Sequence, residues 1–429
     1  MKRILIRASF DPYRQYEAKD FLLSRHAGSN SGNLMFAYGV MNALTTNDTV
    51  LESTYKHSWT KKDADEINEK YDAFILPMAD AFRPEFAHKL DEYTKLIKSL
   101  KIPVVVIGIG LRARIDQDPK DSFSFDKNAY NFVKTVLDHS ALVGLRGRNT
   151  GLYLEKLGFK EGRDFTPIGC PSLYTYGTNV STRIPNDINN IVINTNTLAS
   201  SPVSDFIINS AKQIGNYWLV HQKYSEMRDM LVGKHTFIGR KTVENVFDKD
   251  TFNKLNKEDR IRYFFNVPEW IDFMADKDLF LGNRFHGSVA AILAGTPHVF
   301  IPFDARTKEL IEFHHITSLP QDIIDAKKTI FDYWDQLDFK SFEKHHKDNF
   351  IHYVDFLEKN NLDHIFKHKH SYERGESLME KKMACMRAPI LHCMESYSNP
   401  EKLMKILNLD VLICKNFGKK VINKIMSFK

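Results

Sequence analysis

Two successive series of short apolar runs, each interleaved with helix-length stretches, restrict this chain of 429 residues to one class of architecture. In the first series residues 4–7, 73–77, 104–109 and 142–145 read as strands, and residues 34–44, 85–100 and 128–137 carry the spacing of amphipathic helices. The second series predicts strands at 190–194, 217–220, 235–238, 278–281 and 298–301, with helices near 203–214, 268–275 and 288–294. Strands separated by crossover helices pair in parallel, so each series predicts an α/β unit with a sheet covered on both faces. The polar stretch 177–189 is the expected joint, and the length exceeds what one ordinary core accommodates. The expected organisation is one α/β domain over residues 1–177, a second over 178–325, and a helical, Lys- and His-rich extension over 326–429.

Composition narrows the class of partner. Hydrophobic content of 43% and charged content of 27% belong to a globular chain. A net charge of +6 favours acidic ligands such as phosphorylated metabolites or anionic glycans, and is too small to imply nucleic acid. Cys170, Cys385, Cys393 and Cys414 form no Cys-x-x-Cys pair, which fits reduced thiols in the cytoplasm. Residues 1–7 read as a first strand rather than a signal peptide, and no apolar run is long enough to span a bilayer.

Residues 282–308 carry the chemistry: Gly-Asn-Arg-Phe-His-Gly-Ser-Val-Ala-Ala-Ile-Leu-Ala-Gly-Thr-Pro-His-Val-Phe-Ile-Pro-Phe-Asp-Ala-Arg-Thr-Lys. A strand ending at Leu281 delivers Arg284 and His286 to a turn, and Gly287 with Ser288 opens a small-residue helix whose free N–H groups favour an anion. Arginine grips a carboxylate or phosphate bidentately, which lysine cannot copy. An imidazole with an unperturbed pKa of about 6.5 exchanges protons near neutrality. Cation, acid and anion cradle together point to phosphate chemistry.

This stretch resembles the polysaccharide pyruvyltransferase family, whose mark is an Arg-x-His-Gly turn, an apolar helix, Gly-x-Pro, a strand and an Asp-to-Lys segment. The resemblance runs in pattern from Arg3 to Lys308. It implies two Rossmann-like domains facing a cleft, as in B-type glycosyltransferases. It implies that His286 is catalytic, with Arg284 acting beside it and binding the donor. The donor of that family is phosphoenolpyruvate, which carries about three negative charges near neutral pH. Lys308, and beside it Arg306, match the basic end of the pattern, with Asp304 in support. In Leu145-Arg146-Gly147-Arg148-Asn149-Thr150, Arg146 takes the Arg position of a strand-Arg-Asp-Ser segment and joins the donor-binding set, while Gly147 replaces the usual acid.

On the acceptor side, Ser29, Asn30, Gly32 and Asn33 lie in a turn ahead of the 34–44 helix and resemble the family's Asn-x-Gly-Asp or Asn-x-Gly-Asn. Here the last position is Asn33, so a base role for the acidic variant is absent. Gly108 and Gly110 end another strand, where small residues let substrate approach the backbone or simply terminate the strand. A third Gly at dinucleotide-binding spacing is missing.

The resemblance implies transfer of pyruvate from phosphoenolpyruvate to a sugar of a surface polysaccharide, capsule or exopolysaccharide, or of its precursor. The product would be a ketal, formed in the cytoplasm or at the inner face of the membrane. Two other readings stay open: a nucleotide-sugar-dependent B-type glycosyltransferase, and a catalytically silent glycan-binding or assembly protein. No obligatory cofactor is implied. No metal site is expected either, because the paired histidines at 314–315 and 345–346 and those at 364, 368 and 370 lack a suitably spaced carboxylate or thiolate. After Asp410 the chain has Lys415, Lys419, Lys420, Lys424 and Lys429 and no acid. That tail reads as a basic amphipathic helix for an anionic membrane near a lipid-linked acceptor, or as a helix docked on the body.

Overall fold

A computed structural model describes residues 1–14, 30–56, 58–195, 201–224, 226–227, 249–384 and 391–392. Its first sheet places β1 (Lys2–Arg7) between β2 (Thr49–Thr54) and β3 (Ala73–Pro77), with β4 (Val104–Ile107) beyond β3, all parallel. A bridge from Ile109 to Leu145 continues the sheet into β5 (Val143–Leu145) and β6 (Phe165–Pro167). Every residue of β3 and β4 is buried, which is why both read as unbroken apolar runs.

The second sheet runs β11-β10-β7-β8-β9-β12, built from β7 (Ile191–Asn194), β8 (Tyr217–Val220), β9 (Ile261–Tyr263), β10 (Leu279–Gly282), β11 (His298–Phe300) and β12 (Leu391–His392). Only β12, paired with β9, is antiparallel among the described strands. The architecture is therefore two Rossmann-like α/β units. Strands β2, β6, β9 and β12 escaped the sequence reading, while the strand expected at 235–238 lies outside the described residues.

Helices α1 (Gly32–Leu44), α2 (Lys61–Lys70), α3 (Ala87–Ile97), α4 (Asp126–Leu137) and α5 (Arg148–Lys156) belong to the first unit. The second has α6 (Ser201–Ile214), α7 (Lys249–Lys257), α8 (Val267–Met274), α9 (Phe285–Ala294) and α10 (Ala305–His314). The expected amphipathicity of α1 is corrected. Of its residues all but Asn33 are buried, because one apolar core runs from β1 through α1 to β7, β10 and α9. A second core fills the other face of the first sheet.

The chain then turns back on the first unit. After α11 (Ser341–Lys359), Asn360 Oδ1 accepts the N–H groups of Ala141 and Leu142 at 3.1 and 3.3 Å. On α12 (Leu378–Met383), buried Glu380 accepts hydrogen bonds from Tyr38 at 2.7 Å and Tyr176 at 3.0 Å. No helix among the described residues is long and apolar enough to cross a membrane. The basic tail lies outside the described residues.

Candidate active site between the two sheets

Strand order reverses between β1 and β3 in one sheet and between β7 and β10 in the other. Such switch points leave a crevice at the carboxyl ends of the strands. Arg7 ends β1, Asp80 follows β3, Lys223 follows β8 and Arg284 follows β10, and all four line one cavity of about 420 Å³ between the units. That volume lies in the range of small-molecule sites, about 300–1,000 Å³. Arg7, Arg83, Arg112 and Arg146 line it from the first unit and Lys223, Arg284 and Arg306 from the second, against two carboxylates, Asp80 and Asp304. The lining is built for a polyanion.

All three residues of the Arg-Phe-His turn, Arg284, Phe285 and His286, reach this cavity. Gly287 does not open the helix, however: α9 begins at Phe285, with Arg284 in extended backbone as its N-cap. The Arg284 N–H donates to Asn194 Oδ1 at 3.1 Å, which fixes the turn on the end of β7. The guanidinium is already engaged, donating from Nε to the Thr195 carbonyl at 2.7 Å and from Nη2 to Glu226. Burial opposes ionisation of Glu226, but Arg284, His221 and the Lys223 backbone more than offset it and hold its carboxyl below the usual range. Arg284 is thus half of a buried ion pair that forms part of the cavity wall.

His286 sits in the first turn of α9 and packs against Gly32 of α1. A side chain at Gly32 would set its first carbon 2.4 Å from His286 Nδ1, so the Asn-Ser-Gly-Asn turn needs glycine there to admit the imidazole. Nε2 of His286 is shielded and has no hydrogen-bond partner among the described residues. Burial, then the cations of Arg146 and Arg306, press the imidazole from its usual value to about 3. Near pH 7 the ring is neutral in the free protein.

Arg146 differs from Arg284. It is 2% exposed, donates from Nε to the Gly108 carbonyl at 3.3 Å, lies over the Phe36 ring at 5.3 Å, and leaves Nη2 buried with no partner among the described residues. The small residues at the end of β4 serve this arginine: a side chain at Gly110 would come within 2.8 Å of Arg146 Cδ. They admit the protein's own cation to the backbone, which is the correction to a substrate approaching there.

Arg306 links Asp80 at 3.0 Å to Asp304 at 3.1 Å, and Arg83 takes the other oxygen of Asp80 at 2.6 Å. Burial would raise the Asp80 carboxyl, but Arg306, Arg83 and Arg146 outweigh it and keep the group ionised. Asp304 caps α10 by accepting the Thr307 N–H at 2.8 Å.

Of the residues assigned from sequence to the donor, Arg146 and Arg284 line the cavity, whereas Gly287, Ser288 and Lys308 do not. Gly287 faces Asn194 and Phe280, Ser288 is fully buried, and Lys308 is half-exposed beside Glu312 at 3.9 Å. Arg306 is the cation of that segment that reaches the cavity, because α10 turns Lys308 to solvent. On the acceptor side Asn30, Gly32 and Asn33 line it, and Ser29 lies outside the described residues. Asn30 Oδ1 accepts the Gly32 N–H at 2.8 Å, and Asn30 bridges to Lys223 across the cleft.

Arg7, Asp80, Arg83, Arg112, Lys223 and Glu226 were not singled out in the sequence. A position just past a strand's carboxyl end was the available signal for Arg7, Asp80 and Lys223. Among the described residues no group of three or more His, Cys, Asp or Glu could hold a metal ion. His314 accepts the Cys170 N–H at 2.8 Å and His346 pairs with the Gly177 carbonyl at 2.7 Å, both as buried packing groups.

Among curated proteins no sequence matches the chain. Solved structures with a similar course include UDP-GlcNAc 2-epimerase from Neisseria meningitidis bound to UDP-GlcNAc, at 10% identity, covering 84% of this chain and 100% of that one with a TM-score of 0.46. S. aureus MnaA in its UDP co-structure is 12% identical over 90% of this chain and 95% of that one, with a TM-score of 0.38. UDP-GlcNAc 2-epimerase of Methanocaldococcus jannaschii in complex with UDP-GlcNAc and UDP is 11% identical over 90% and 98%, with a TM-score of 0.37. The family model for polysaccharide pyruvyl transferase matches residues 30–305, from the Asn-Ser-Gly-Asn turn through both sheets to the first residue of α10, and the chain belongs to that family of transferases.

Proposed function

We propose that the protein moves the enolpyruvyl unit of phosphoenolpyruvate onto paired hydroxyls of a sugar in a surface polysaccharide or its precursor, giving a pyruvate ketal and inorganic phosphate. The observation that carries this reading is the meeting of His286 with Arg146 and Arg306 in one cation-lined cavity. A donor with about three negative charges suits that lining. Arg146 brings a buried guanidinium nitrogen that no group accepts from among the described residues.

The chemistry balances with one proton donor. A proton adds to the methylene carbon, making it a methyl group, and one sugar hydroxyl attacks the adjacent cationic carbon. The bond from that carbon to the phosphate oxygen breaks, and the second hydroxyl closes the ketal. Of the two hydroxyl protons released, one replaces the proton spent on carbon and one leaves with phosphate.

His286 is the proposed acid, although its imidazole is neutral in the free protein. The donor's charges offset Arg146 and Arg306, the two cations that help to depress it, so the proton enters with the donor. Calorimetry of phosphoenolpyruvate binding in buffers of different ionisation enthalpy should therefore show net proton uptake at pH 7. A lipid-linked acceptor and a basic tail resting on an anionic membrane belong to the same proposal.

With a competent saccharide, phosphate release and a new ketal methyl resonance should appear together. His286→Ala should lower kcat by about 10²–10⁴ with cooperative melting retained. A variant that releases phosphate at the wild-type rate defeats the acid role. A thermal shift with a uridine diphosphate sugar and none with phosphoenolpyruvate would favour a nucleotide-sugar transferase instead.

A further inference from the structure

We propose that Glu309, carried by α10 of the second unit, is a positioning residue that holds Arg146 in the donor pocket by seating its side chain on the first turn of α5. The proposal rests on the donor reading above. Gly147, the N-cap of α5, follows Arg146 directly and offers the helix no side-chain cap. Glu309 supplies that cap from 159 residues away, accepting the Thr150 N–H at 3.2 Å on one oxygen and the Thr150 hydroxyl at 3.0 Å on the other.

The fit is tight. A side chain at Gly147 would place its first carbon 2.6 Å from Glu309 Cγ and 3.1 Å from Oε1. The Gly147 backbone is extended, with φ 171°, so any residue could adopt it, and space alone demands glycine. The carboxyl is 2% exposed, and no Lys or Arg lies within ion-pair distance among the described residues.

A buried carboxyl without a cation is costly to keep for helix capping alone. Its placement acquires a purpose from the residue next door. Arg146 is wedged over Gly110 and Phe36 with an unpartnered nitrogen, and its backbone is clamped between Ile109, through a 2.9 Å hydrogen bond, and the glycine on which Glu309 rests. Withdrawing Glu309 frees one side of that clamp. Burial lifts the Glu309 carboxyl to about 7, with Thr150 and Arg146 acting downward and Glu312 upward. A group raised in this way contributes stability below its unfolded pKa and loses it as pH rises through about 7. Near neutrality the seat therefore accepts an uncharged side chain, which glutamine copies.

The test measures phosphoenolpyruvate affinity by calorimetry and the Michaelis constants of donor and acceptor. Glu309→Ala should weaken donor binding by about tenfold or more while the acceptor KM stays within about twofold. Glu309→Gln should stay within about twofold of wild type for both. Gly147→Ala should reproduce the loss of Glu309→Ala and add nothing in that background, since the obstructed side chain is already gone. Glu309→Ala should likewise add nothing to Arg146→Gln, because it acts through that arginine.

Unchanged donor affinity in Glu309→Ala, or losses that add in the Arg146→Gln background, would overturn the proposal. If Glu309→Ala does not fold, Gly147→Ala and Glu309→Gln decide it: a donor loss confined to the former supports the seat, and equal behaviour rejects it. Failure of the wild type to bind phosphoenolpyruvate would sink the donor reading. In that event additive melting shifts for Gly147→Ala and Glu309→Ala would refute the seat as well.

Discussion

Arg284 and Arg146 face the same cavity from opposite sheets, at 5% and 2% exposure, yet their chemical states are opposite. Arg284 belongs to the most recognisable motif in the chain and commits Nε to Thr195 and Nη2 to Glu226. Arg146 lies in a less conspicuous segment and retains a buried nitrogen with no acceptor among the described residues. Removing the first leaves a stranded carboxylate, whereas removing the second takes away an unpaired charge. The more legible arginine is therefore tied into the protein by an ion pair, while the quieter one keeps an uncommitted nitrogen in the same cavity.

Arg284→Ala tests that contrast with the largest expected effect. It should cost about 3–5 kcal/mol of folding stability, because Glu226 remains buried and ionised without its partner. Urea melts check it, and a loss under about 1 kcal/mol would place the pair among exposed bridges. Arg146→Gln should leave the Tm unchanged or raised while weakening phosphoenolpyruvate binding by about 2–5 kcal/mol. The reverse pattern, a lower Tm with donor affinity intact, would exchange the roles of the two arginines.

A smaller effect concerns acid. His286 is held at about 3 and His298 and His346 at about 4, in each case with burial as the largest cause. The unfolded chain takes up protons below about 6.5 that the folded one refuses, so stability should fall as pH drops from there toward 4. Each imidazole contributes up to about 1.4 kcal/mol per pH unit. Arg146→Gln removes one cation beside His286 and should raise that resonance's pKa in an NMR titration; an unmoved value would separate the two groups. Smallest of all, Lys308→Ala should change stability by no more than about 0.5 kcal/mol. It should also leave donor affinity alone, since among the described residues Lys308 reaches only Glu312, on the surface.

How much was legible in the sequence followed from range. Strands β3 and β4 were plain because burial on both faces leaves unbroken apolar runs. Strands β6 (Phe-Thr-Pro) and β9 (Ile-Arg-Tyr) are as short as β5 and β11, but a polar residue at the centre of each breaks the apolar run, and β2 is an edge strand rich in Thr, Ser and Glu. The start of α9 was misplaced because a long-range contact decides it, from the Arg284 N–H to Asn194, 90 residues earlier. Sequence placed His286 and Arg146 near strand ends. It had no means of pairing Asp80 with Arg306 across 226 positions, Arg284 with Glu226 across 58, or Thr150 with Glu309 across 159.

Helix α1 lies within a core shared by both sheets, and that restricts how this catalyst can move. Prying the halves apart like a jaw would wet those α1 side chains that face α8 and α9, at about 1.5–3 kcal/mol for each one fully exposed. A ligand can shift such an equilibrium only by the difference in its affinity for the two states. Substrates therefore meet a mould already cast, and any breathing that admits them falls to side chains and rim loops rather than to whole domains.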